Sequence, residues 1–259
     1  MSQPVTSLRN PRVLAARKLL RRSDRARAGA FLVEGAVPVR EALVSGSVKD
    51  LFVDAEASFA AEFLKRGGIA VSGRVIAALT DTATPQGVVA VAEARTVRLA
   101  AVEGDLVVVL ADVRDPGNAG TLVRSAVAAG AGAVVFATGA VDPFNPKTVR
   151  ATAGLLFHVG LVTDIPLRAA LEGLGAKGFL LVGADAGAQA AASGVDLRRP
   201  VALVLGNESW GIDPSARRLL DEVIGIAMPG PAESLNVGIA GSILLFEVVR
   251  LRAREQEGH

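Results

Sequence analysis

Short runs of branched and other apolar residues recur through the second half of the chain and constrain its fold most. The runs lie at 106–110, 133–137, 155–162, 179–182, 201–205 and 223–226. Nearly continuous apolar runs are typical of strands that are buried on both faces of a parallel sheet. Helical patterns separate them, at 119–129, 147–153, 167–174, 214–220 and from Ser234 onwards. This half therefore predicts an α/β domain with a mostly parallel sheet and helices on both faces.

The first half alternates shorter strands and helices. Strands are predicted at 29–33, 50–54, 69–72 and 88–92, and helices at 11–22, 37–45, 59–66 and 74–79. Short turns between them favour a small layered α/β unit. We therefore predict a small α/β domain over 1–95, a linker over 96–105, which lacks a clear pattern, and a second domain over 106–259.

Composition excludes several classes of function. The chain of 259 residues has no cysteine, so disulfides, thiol catalysis and cysteine-bound zinc are excluded. It has two histidines, and one is the last residue, His259, which argues against any metal site. No apolar run reaches the roughly 18 residues of a membrane span, and no signal peptide opens the chain. We expect a cytoplasmic protein.

Basic residues are concentrated at the N-terminus, although the formal net charge is only +2. Residues 1–30 carry one acid, Asp24, against Arg9, Arg12, Arg17, Lys18, Arg21, Arg22, Arg25 and Arg27. Such a stretch is typical of a nucleic-acid-facing helix, and a solvated charge run is the alternative. A mitochondrial presequence has a similar composition, but the folded-domain pattern Phe31-Leu-Val-Glu-Gly35 follows at once.

The glycine patterns do not predict a dinucleotide site. That site needs G-x-G-x-x-G between a strand and the following helix. Gly130-Ala-Gly132 instead follows a helix, and Gly183-Ala-Asp-Ala-Gly187 follows a strand but has another spacing. The phosphate-binding loop G-x-x-x-x-G-K-[ST] is also missing.

A first polar segment, Asp115-Pro-Gly-Asn118, follows the strand at 106–110. It predicts a turn that ends in a helix N-cap, with Asn118 as the capping residue. Arg124 lies six residues further on, in the second helical turn. Arg124 is either an ordinary surface arginine or a fork that grips a phosphate.

Two more polar segments follow strands. Gly206-Asn-Glu208 lies at the carboxyl end of the strand at 201–205, where ligands of open α/β sheets collect. Ser234-Leu-Asn236 opens the last helix, with Ser234 as a predicted N-cap and Asn236 in the first turn. His158 lies within the run at 155–162 and is interpreted as a packed core histidine.

In order and spacing, these three segments resemble the motifs of the SpoU (TrmH) branch of the SPOUT RNA methyltransferases, which use S-adenosylmethionine to methylate ribose 2′-hydroxyls. The likeness covers about 105–252. Residues 5–95 resemble the substrate-binding domain often fused ahead of it, through Asn10-Pro-Arg-Val13, Phe31–Gly35 and Thr84-Pro-Gln-Gly87. The resemblance implies a deep trefoil knot near the C-terminus and a homodimer through the C-terminal domain.

The resemblance also implies roles for individual residues. S-adenosylmethionine is expected to be held by backbone groups near Thr138, Gly206, Ile226, Met228 and Leu235. The implied catalytic set is Arg124, Asn118, Glu208, Ser234 and Asn236. An arginine stays protonated in proteins, so we interpret Arg124 as binding the substrate phosphate, with the proton leaving through that phosphate or a water. One departure is Gly238, where the family motif has serine.

The resemblance favours large-subunit (23S) ribosomal RNA as the substrate, for housekeeping modification or antibiotic resistance. A tRNA substrate is an alternative. A non-catalytic RNA-binding protein of the same fold is another, and calorimetry with S-adenosylmethionine separates it from an enzyme. A small-molecule nucleotide-binding enzyme is a third, but it predicts a glycine-rich phosphate loop.

Overall fold

The computed structural model describes residues 3–188 and 192–256. His259, and the other residues of the predicted domains at 1–2, 189–191 and 257–258, lie outside the described residues. The chain divides into two compact units. The first unit holds residues up to Arg95 together with Phe144–Phe157, and the second holds Thr96–Pro143 and the residues from His158 onwards.

The first unit is built on a four-stranded sheet with the order β1-β4-β2-β3. Its strands are β1 (Ala30–Glu34), β2 (Val48–Asp54), β3 (Ile69–Val71) and β4 (Val88–Glu93). The β1–β4 and β4–β2 pairs are antiparallel, and the β2–β3 pair is parallel. Its helices are α1 (Pro11–Lys18), α2 (Arg22–Ala28), α3 (Ala36–Val44), α4 (Ala60–Leu64), α5 (Gly73–Leu79) and α7 (Pro146–Ala151).

The basic helix predicted at 11–22 is shorter than expected, because the chain bends between α1 and α2. Arg25 is buried, and its Nη1 donates to the carbonyl oxygens of Leu19 and Leu20, each at 3.0 Å. Carbonyls at the end of a helix lack partners within it, and this guanidinium supplies one. One arginine of the basic stretch is therefore structural.

The segment Phe144–Phe157 comes from the middle of the chain but packs in the first unit. The Phe144 ring lies 4.8 Å from the Phe31 ring, and the Phe157 ring lies 6.0 Å from it on centroid distances. Arg150 of α7 lies 3.5 Å from the buried carboxylate of Glu34. The continuous boundaries drawn from the sequence do not include this excursion.

The second unit contains a six-stranded sheet with the order β10-β8-β9-β5-β6-β7, in which every pair is parallel. Its strands are β5 (Leu106–Leu110), β6 (Ala133–Ala137), β7 (Gly160–Ile165), β8 (Leu180–Ala184), β9 (Val201–Leu205) and β10 (Glu222–Ile224). Its helices are α6 (Pro116–Ala128), α8 (Leu167–Ala176), α9 (Pro214–Arg217) and α10 (Val237–Gln256).

Helices cover both faces of this sheet, as predicted. Alternate residues of β5, Val107 and Val109, share a core cluster with Leu171 and Leu174 of α8. Two other helices, α6 and α10, pack against each other. Parallel strands with side chains buried on both faces explain why their sequences are nearly all apolar.

The predicted strand at 155–162 is wrong in its first part. A 3-10 turn spans Leu155–His158, and β7 starts only at Gly160. The apolar residues there serve two cores, since Phe157 stacks on Phe31 while Leu161 and Val162 are buried in the sheet. His158 is exposed, so its interpretation as a core histidine is also wrong.

The predicted linker at 96–105 is part of the second unit. The Val97 N–H donates to the Leu161 carbonyl at 2.9 Å, and Val102 is buried. Lys177 Nζ donates to the carbonyls of Ala100 at 2.9 Å and Val102 at 2.7 Å. This segment is therefore fastened to the unit that it precedes.

Candidate functional site

All three polar segments found in the sequence follow strands of the second sheet. They follow β5, β9 and β10, whose carboxyl ends meet at one edge because the strands are parallel. Leu110 and Leu205 are paired at the ends of β5 and β9, so the loops that leave them start side by side. Ligand sites of open parallel sheets form at this edge.

Side-chain amides connect the three segments directly. Asn236 Oδ1 accepts from the N–H groups of Gly238 at 2.9 Å and Ile239 at 3.2 Å. Its Nδ2 donates to Asn118 Oδ1 at 2.8 Å, and Asn118 Nδ2 donates to Glu208 Oε1 at 3.0 Å. Backbone donors at one end and a carboxylate acceptor at the other determine which way both amides point. We call Glu208, Asn118 and Asn236 the amide relay.

The two predicted helix caps are shifted along the chain. Asp115, not Asn118, caps α6, since its Oδ1 accepts from the Asn118 N–H at 2.8 Å. Asn236, not Ser234, caps α10, because α10 begins only at Val237. Pro116 occupies the first position of α6, which suits a proline, so the residue before it becomes the cap. The side chains of Asn118 and Asn236 can therefore form a hydrogen bond with each other.

The loop after β9 is fastened to the loop after β5 by Asn207, whose importance the sequence did not show. Asn207 is buried, and its Nδ2 donates to the Asp112 carbonyl at 2.9 Å. Its Oδ1 accepts from the Ser209 N–H at 2.8 Å. The signal available was its place between Gly206 and Glu208. This bridge holds the carboxylate of Glu208 beside α6.

Gly206 is required by a close backbone approach. A Cβ at this position would lie 2.3 Å from the carbonyl carbon of Gly211 and 2.5 Å from the Ile212 nitrogen. Asn207 and Gly211 exchange both backbone hydrogen bonds at 2.9 Å, which folds the loop back on itself. Any side chain at 206 would open this turn.

A cavity of about 560 Å³ opens at this edge of the sheet. We call it the strand-end cavity. Its walls come from the ends of β8, β9 and β10, the segment before α10, and α10 itself. Seven of the predicted site residues line it: Gly206, Glu208, Ile226, Met228, Ser234, Leu235 and Asn236.

Three of the ten predicted catalytic and donor-binding residues are not in the wall of this cavity. Asn118 reaches it through the amide relay. Thr138 is exposed at the end of β6, where its N–H donates to the Ile165 carbonyl at 2.9 Å. Arg124 is exposed on α6.

Main-chain groups in the cavity wall lack partners within the described chain. Residues 226–236 have neither helix nor strand structure. Among the hydrogen bonds of residues 3–188 and 192–256, none uses the main-chain N–H or C=O of Ile226, Met228 or Leu235. A polar ligand in the strand-end cavity could therefore pair with them without breaking a hydrogen bond between described residues.

Asp185 is a cavity residue that the sequence reasoning overlooked, although the glycine-flanked segment after β8 contains it. Its carboxylate accepts from the Arg217 guanidinium and from the Gly187 N–H, the latter at 2.8 Å. These hydrogen bonds lower the pKa of Asp185 below its usual value. The carboxylate is thus held ionised in the wall of the strand-end cavity.

Trp210 also lines this cavity and was not expected there. Its side chain is 58% exposed, and the guanidinium carbon of Arg114 lies 5.0 Å from its ring centre. Arg114 donates from Nε and Nη2 to the two oxygens of Asp112, at 2.9 and 3.1 Å. The hydrogen bonds to Asp112 are the main reason why the pKa of Arg114 is raised, and the nearby charge of Glu208 raises it further.

Gly238, the departure from the expected motif, touches the amide relay. It is buried, and a Cβ there would lie 3.1 Å from Asn236 Oδ1 and 3.4 Å from Asn118 Oδ1. Glycine therefore leaves room for both amides, while its N–H still donates to Asn236. A larger residue would press on the amide oxygens of both asparagines.

In the first unit, all six predicted RNA-binding residues are exposed. They are Arg9, Arg12, Arg17, Lys18, Arg21 and Arg22. Arg12 has an acidic neighbour, with Nη1 4.0 Å from Asp50 Oδ1. In the described ranges, no group of three or more His, Cys, Asp or Glu side chains is arranged to hold a metal ion. No described helix has the length and apolar character that crossing a membrane requires.

Two family models match the chain. Residues 105–246 match the SpoU rRNA Methylase family, and residues 10–90 match the MRM3-like substrate binding domain. The first match covers the second sheet, the strand-end cavity and the first half of α10. The second lies within the first unit.

Relatives with named functions match over nearly the whole chain. A Bacillus subtilis protein named 23S rRNA (guanosine(2553)-2′-O)-methyltransferase RlmP is 34% identical over 94% of this chain and 98% of its own length. A Streptomyces viridochromogenes protein, 23S rRNA (uridine(2479)-2′-O)-methyltransferase, is 34% identical over 89% of this chain and 86% of its own.

Solved structures match equally widely. The SpoU methyltransferase AviRb from Streptomyces viridochromogenes, in complex with the cofactor AdoMet (S-adenosylmethionine), has a TM-score of 0.85 and 34% identity. That match covers 95% of this chain and 99% of AviRb. An AdoMet-bound rRNA methyltransferase from Sinorhizobium meliloti has a TM-score of 0.84 and 34% identity, over 96% of this chain and 97% of its own.

Proposed function

Because the chain belongs to the SpoU rRNA methylase family, we propose that it methylates a ribose 2′-hydroxyl of 23S ribosomal RNA with S-adenosylmethionine as donor. The amide relay carries this proposal. It brings Glu208, Asn118 and Asn236 from three loops to one place beside the strand-end cavity. The names of the relatives supply the substrate class.

The strand-end cavity fits S-adenosylmethionine. A volume of about 560 Å³ suits a ligand of that size. The main-chain groups of Ile226, Met228 and Leu235 are available for its polar groups, and Gly206 lets the loop after β9 fold closely on itself in the cavity wall. When bound, the donor supplies an electrophilic methyl group. Thr138, which lies outside the cavity wall, is not included in this proposed donor site.

The residues around the cavity would hold the RNA ribose. Arg124, exposed on α6, binds the phosphate next to the reacting nucleotide through its planar fork. Glu208 and Asn236 stay in fixed positions through Asn118, and Ser234 lines the same cavity. The 2′-hydroxyl proton leaves to the phosphate or to a water. Positioning of this kind can lower the activation free energy by about 7–11 kcal/mol.

The test of this proposal is methylation of unmodified RNA with methyl-labelled S-adenosylmethionine. We expect label in 23S rRNA, at a ribose that resists alkaline cleavage on its 3′ side. Label found only in the tRNA fraction would show that tRNA, and not 23S rRNA, is the substrate. Poor donor binding in calorimetry, together with no labelled RNA of either kind, would point to a protein that kept the fold but not the reaction.

We also propose that the protein is a homodimer through the second unit. An apolar stripe of Leu235, Ile239, Ile243 and Phe246 is exposed along α10 and just before it, with 38–53% of each side chain accessible. Ile239, Ile243 and Phe246, four and three residues apart, lie on one face of α10, and Leu235 comes two residues before this helix begins. Exposed apolar stripes of this kind mark interaction sites.

Sedimentation velocity tests the dimer. Ile243→Asp should give monomers, while Val44→Asp, which changes an apolar residue 75% exposed on α3, should leave the mass unchanged. Monomeric wild-type protein at micromolar concentration would contradict the proposal.

The proposal also includes a trefoil knot in the second unit. The segment 225–236 must cross from β10, at one edge of the sheet, back to α10, which packs on α6. Gly225 passes so close to the loop after β8 that a Cβ would lie 2.8 Å from the Ala188 carbonyl oxygen. We propose that this crossing forms the trefoil knot.

A ribosomal RNA substrate favours the cytoplasm as the place of action.

A further inference from the structure

Trp210 is the only tryptophan of the chain, and it is 58% exposed although it lines the strand-end cavity. Tryptophan side chains are on average mostly buried in folded proteins. An exposed indole next to a cavity therefore needs an explanation.

One face of the indole is supported by a chain of contacts. Arg114 lies against the ring, at 5.0 Å from its centre. Asp112 holds Arg114 through both carboxylate oxygens, and the Asp112 carbonyl is held by the buried Asn207. A cation against one face leaves the other free for a second planar group.

The position of the ring relates it to the reacting ribose. Trp210 lies two residues after Glu208, which takes part in the amide relay, and both line the same cavity. A base is joined to its ribose by a single bond. A ribose held at the relay therefore brings a base within reach of this loop.

We propose that Trp210 is a stacking platform for an RNA base at the methylation site, either the target base or its neighbour. The inference rests on the proposed function. Proteins that bind unpaired RNA stack its bases on aromatic side chains. Arg114 adds positive charge beneath the platform and acts as a positioning residue.

The kinetic test compares Trp210→Leu, which keeps apolar bulk, with Trp210→Phe, which keeps an aromatic face. Stacking on an aromatic residue implies a loss of about 5- to 150-fold in kcat/KM for RNA with Trp210→Leu, mainly through KM. Trp210→Phe should stay within about threefold of wild type. In calorimetry, the Kd for S-adenosylmethionine should change less in the variants than kcat/KM for RNA does.

Three kinetic outcomes overturn the proposal. Equal loss in the Phe and Leu variants would show that the aromatic face is not what matters. A loss of S-adenosylmethionine affinity that parallels the loss in kcat/KM would assign the indole to the donor instead. Unchanged kinetics in Trp210→Leu would remove any role.

A spectroscopic test needs no turnover. Because the chain has one tryptophan and no tyrosine, its emission reports on position 210 alone. A short single-stranded RNA should quench this emission in wild-type protein, and an abasic oligonucleotide of the same length should not. Equal quenching by both would contradict stacking. Arg114→Met should weaken the RNA effect, with partial rescue in Arg114→Lys.

The two tests keep the proposals distinct. Absence of methylation on any RNA would remove the proposed function, while base-dependent quenching would still support the platform. Methylation that survives Trp210→Leu unchanged would remove the platform alone.

Discussion

At the scale of single residues, the site depends on a few amides and charges whose partners come from distant parts of the sequence. Asn118 accepts a hydrogen bond from Asn236 and donates one to Glu208, so it is the middle residue of the amide relay. Arg124 is exposed on α6, and none of the hydrogen bonds of the relay involves it. Its role as a phosphate ligand stays a prediction.

Arg124→Ala should abolish methylation while calorimetry still detects S-adenosylmethionine binding, because the donor cavity does not include Arg124. Arg124→Lys should restore little activity, since a lysine cannot offer the planar two-point fork. Arg168→Ala is the matched control, because Arg168 is another exposed arginine of the second unit, paired with Glu172 on α8. Rates near wild type in either Arg124 variant would end the assignment.

Asn118→Asp should lower kcat/KM by about ten- to a hundredfold, the cost of losing a hydrogen bond to a charged group. The new carboxylate would face Glu208 where an amide now donates at 3.0 Å. Asn145→Asp makes the same change at the cap of α7, where aspartate caps equally well, and should be silent. Steady-state kinetics with 23S rRNA measures both, and equal rates in the two variants would speak against the relay.

At the scale of elements, the site depends on how closely α10 lies against the rest of the second unit. Gly241 lets α10 approach α6 and β9, since a Cβ there would lie 2.4 Å from Leu122 Cδ2 and 2.7 Å from Leu205 Cδ1. The Ser125 and Ser242 hydroxyls meet at 2.7 Å between the same helices. The start of α10, with Asn236, is positioned by this packing.

Gly241→Val should destabilise the fold by about 1–3 kcal/mol, because it overpacks a filled core. The surrounding leucines are fully buried and have little room to move. Gly194→Val is the control, because no atom of the described residues lies within 4 Å of a Cβ there. Urea unfolding measures both variants, and an equal free energy of unfolding for the two would contradict the close-approach interpretation.

Asp185 and Arg217 connect the end of β8 to α9, and their ion pair depends on pH. The folded-state pKa of Asp185 is lowered, so the pair adds stability at neutral pH that is lost as the pH falls below about 3.8. Asp185→Asn should cost at most about 1 kcal/mol near pH 7, since the pair is partly exposed. The gap to wild type in urea midpoints should shrink in acid, and a gap independent of pH would reject this.

At the scale of the whole molecule, the chain builds two units with different surfaces. The basic residues at its start are exposed on the first unit, and the strand-end cavity lies in the second. The first unit also takes Phe144–Phe157 from between β6 and β7. We propose that its exposed cations bind RNA through phosphates.

A variant with Arg17, Lys18, Arg21 and Arg22 all changed to glutamine should bind 23S rRNA more weakly and with a flatter salt dependence. Each phosphate that the variant no longer binds should reduce the slope of log Kd against log salt by about 0.7–0.9. Filter binding at several KCl concentrations measures the slope. Arg168→Gln with Arg198→Gln removes two exposed cations of the second unit as a control. An unchanged slope in the four-residue variant would remove the first unit's basic face from RNA binding.

The local pattern of the sequence determined the strands and helices of the second sheet, because a strand buried on both faces must be apolar along its whole length. The bounds of β5, β6 and β9 agree with the predicted runs residue for residue. The pattern failed at 155–162, since an apolar run does not say which of two cores its residues enter. The family resemblance selected the residues of the relay, although it did not describe their contacts.

Only the tertiary structure decided which side chains meet. The bond from Asn236 to Asn118 spans 118 positions in the chain, and Phe31 stacks on residues from a segment that begins at Phe144. Trp210 and Asp185 became cavity residues only when β8, β9 and β10 ended at one edge. Side-chain periodicity reports burial within one element, whereas a site arises from the register and order of strands, which a single sequence does not encode locally.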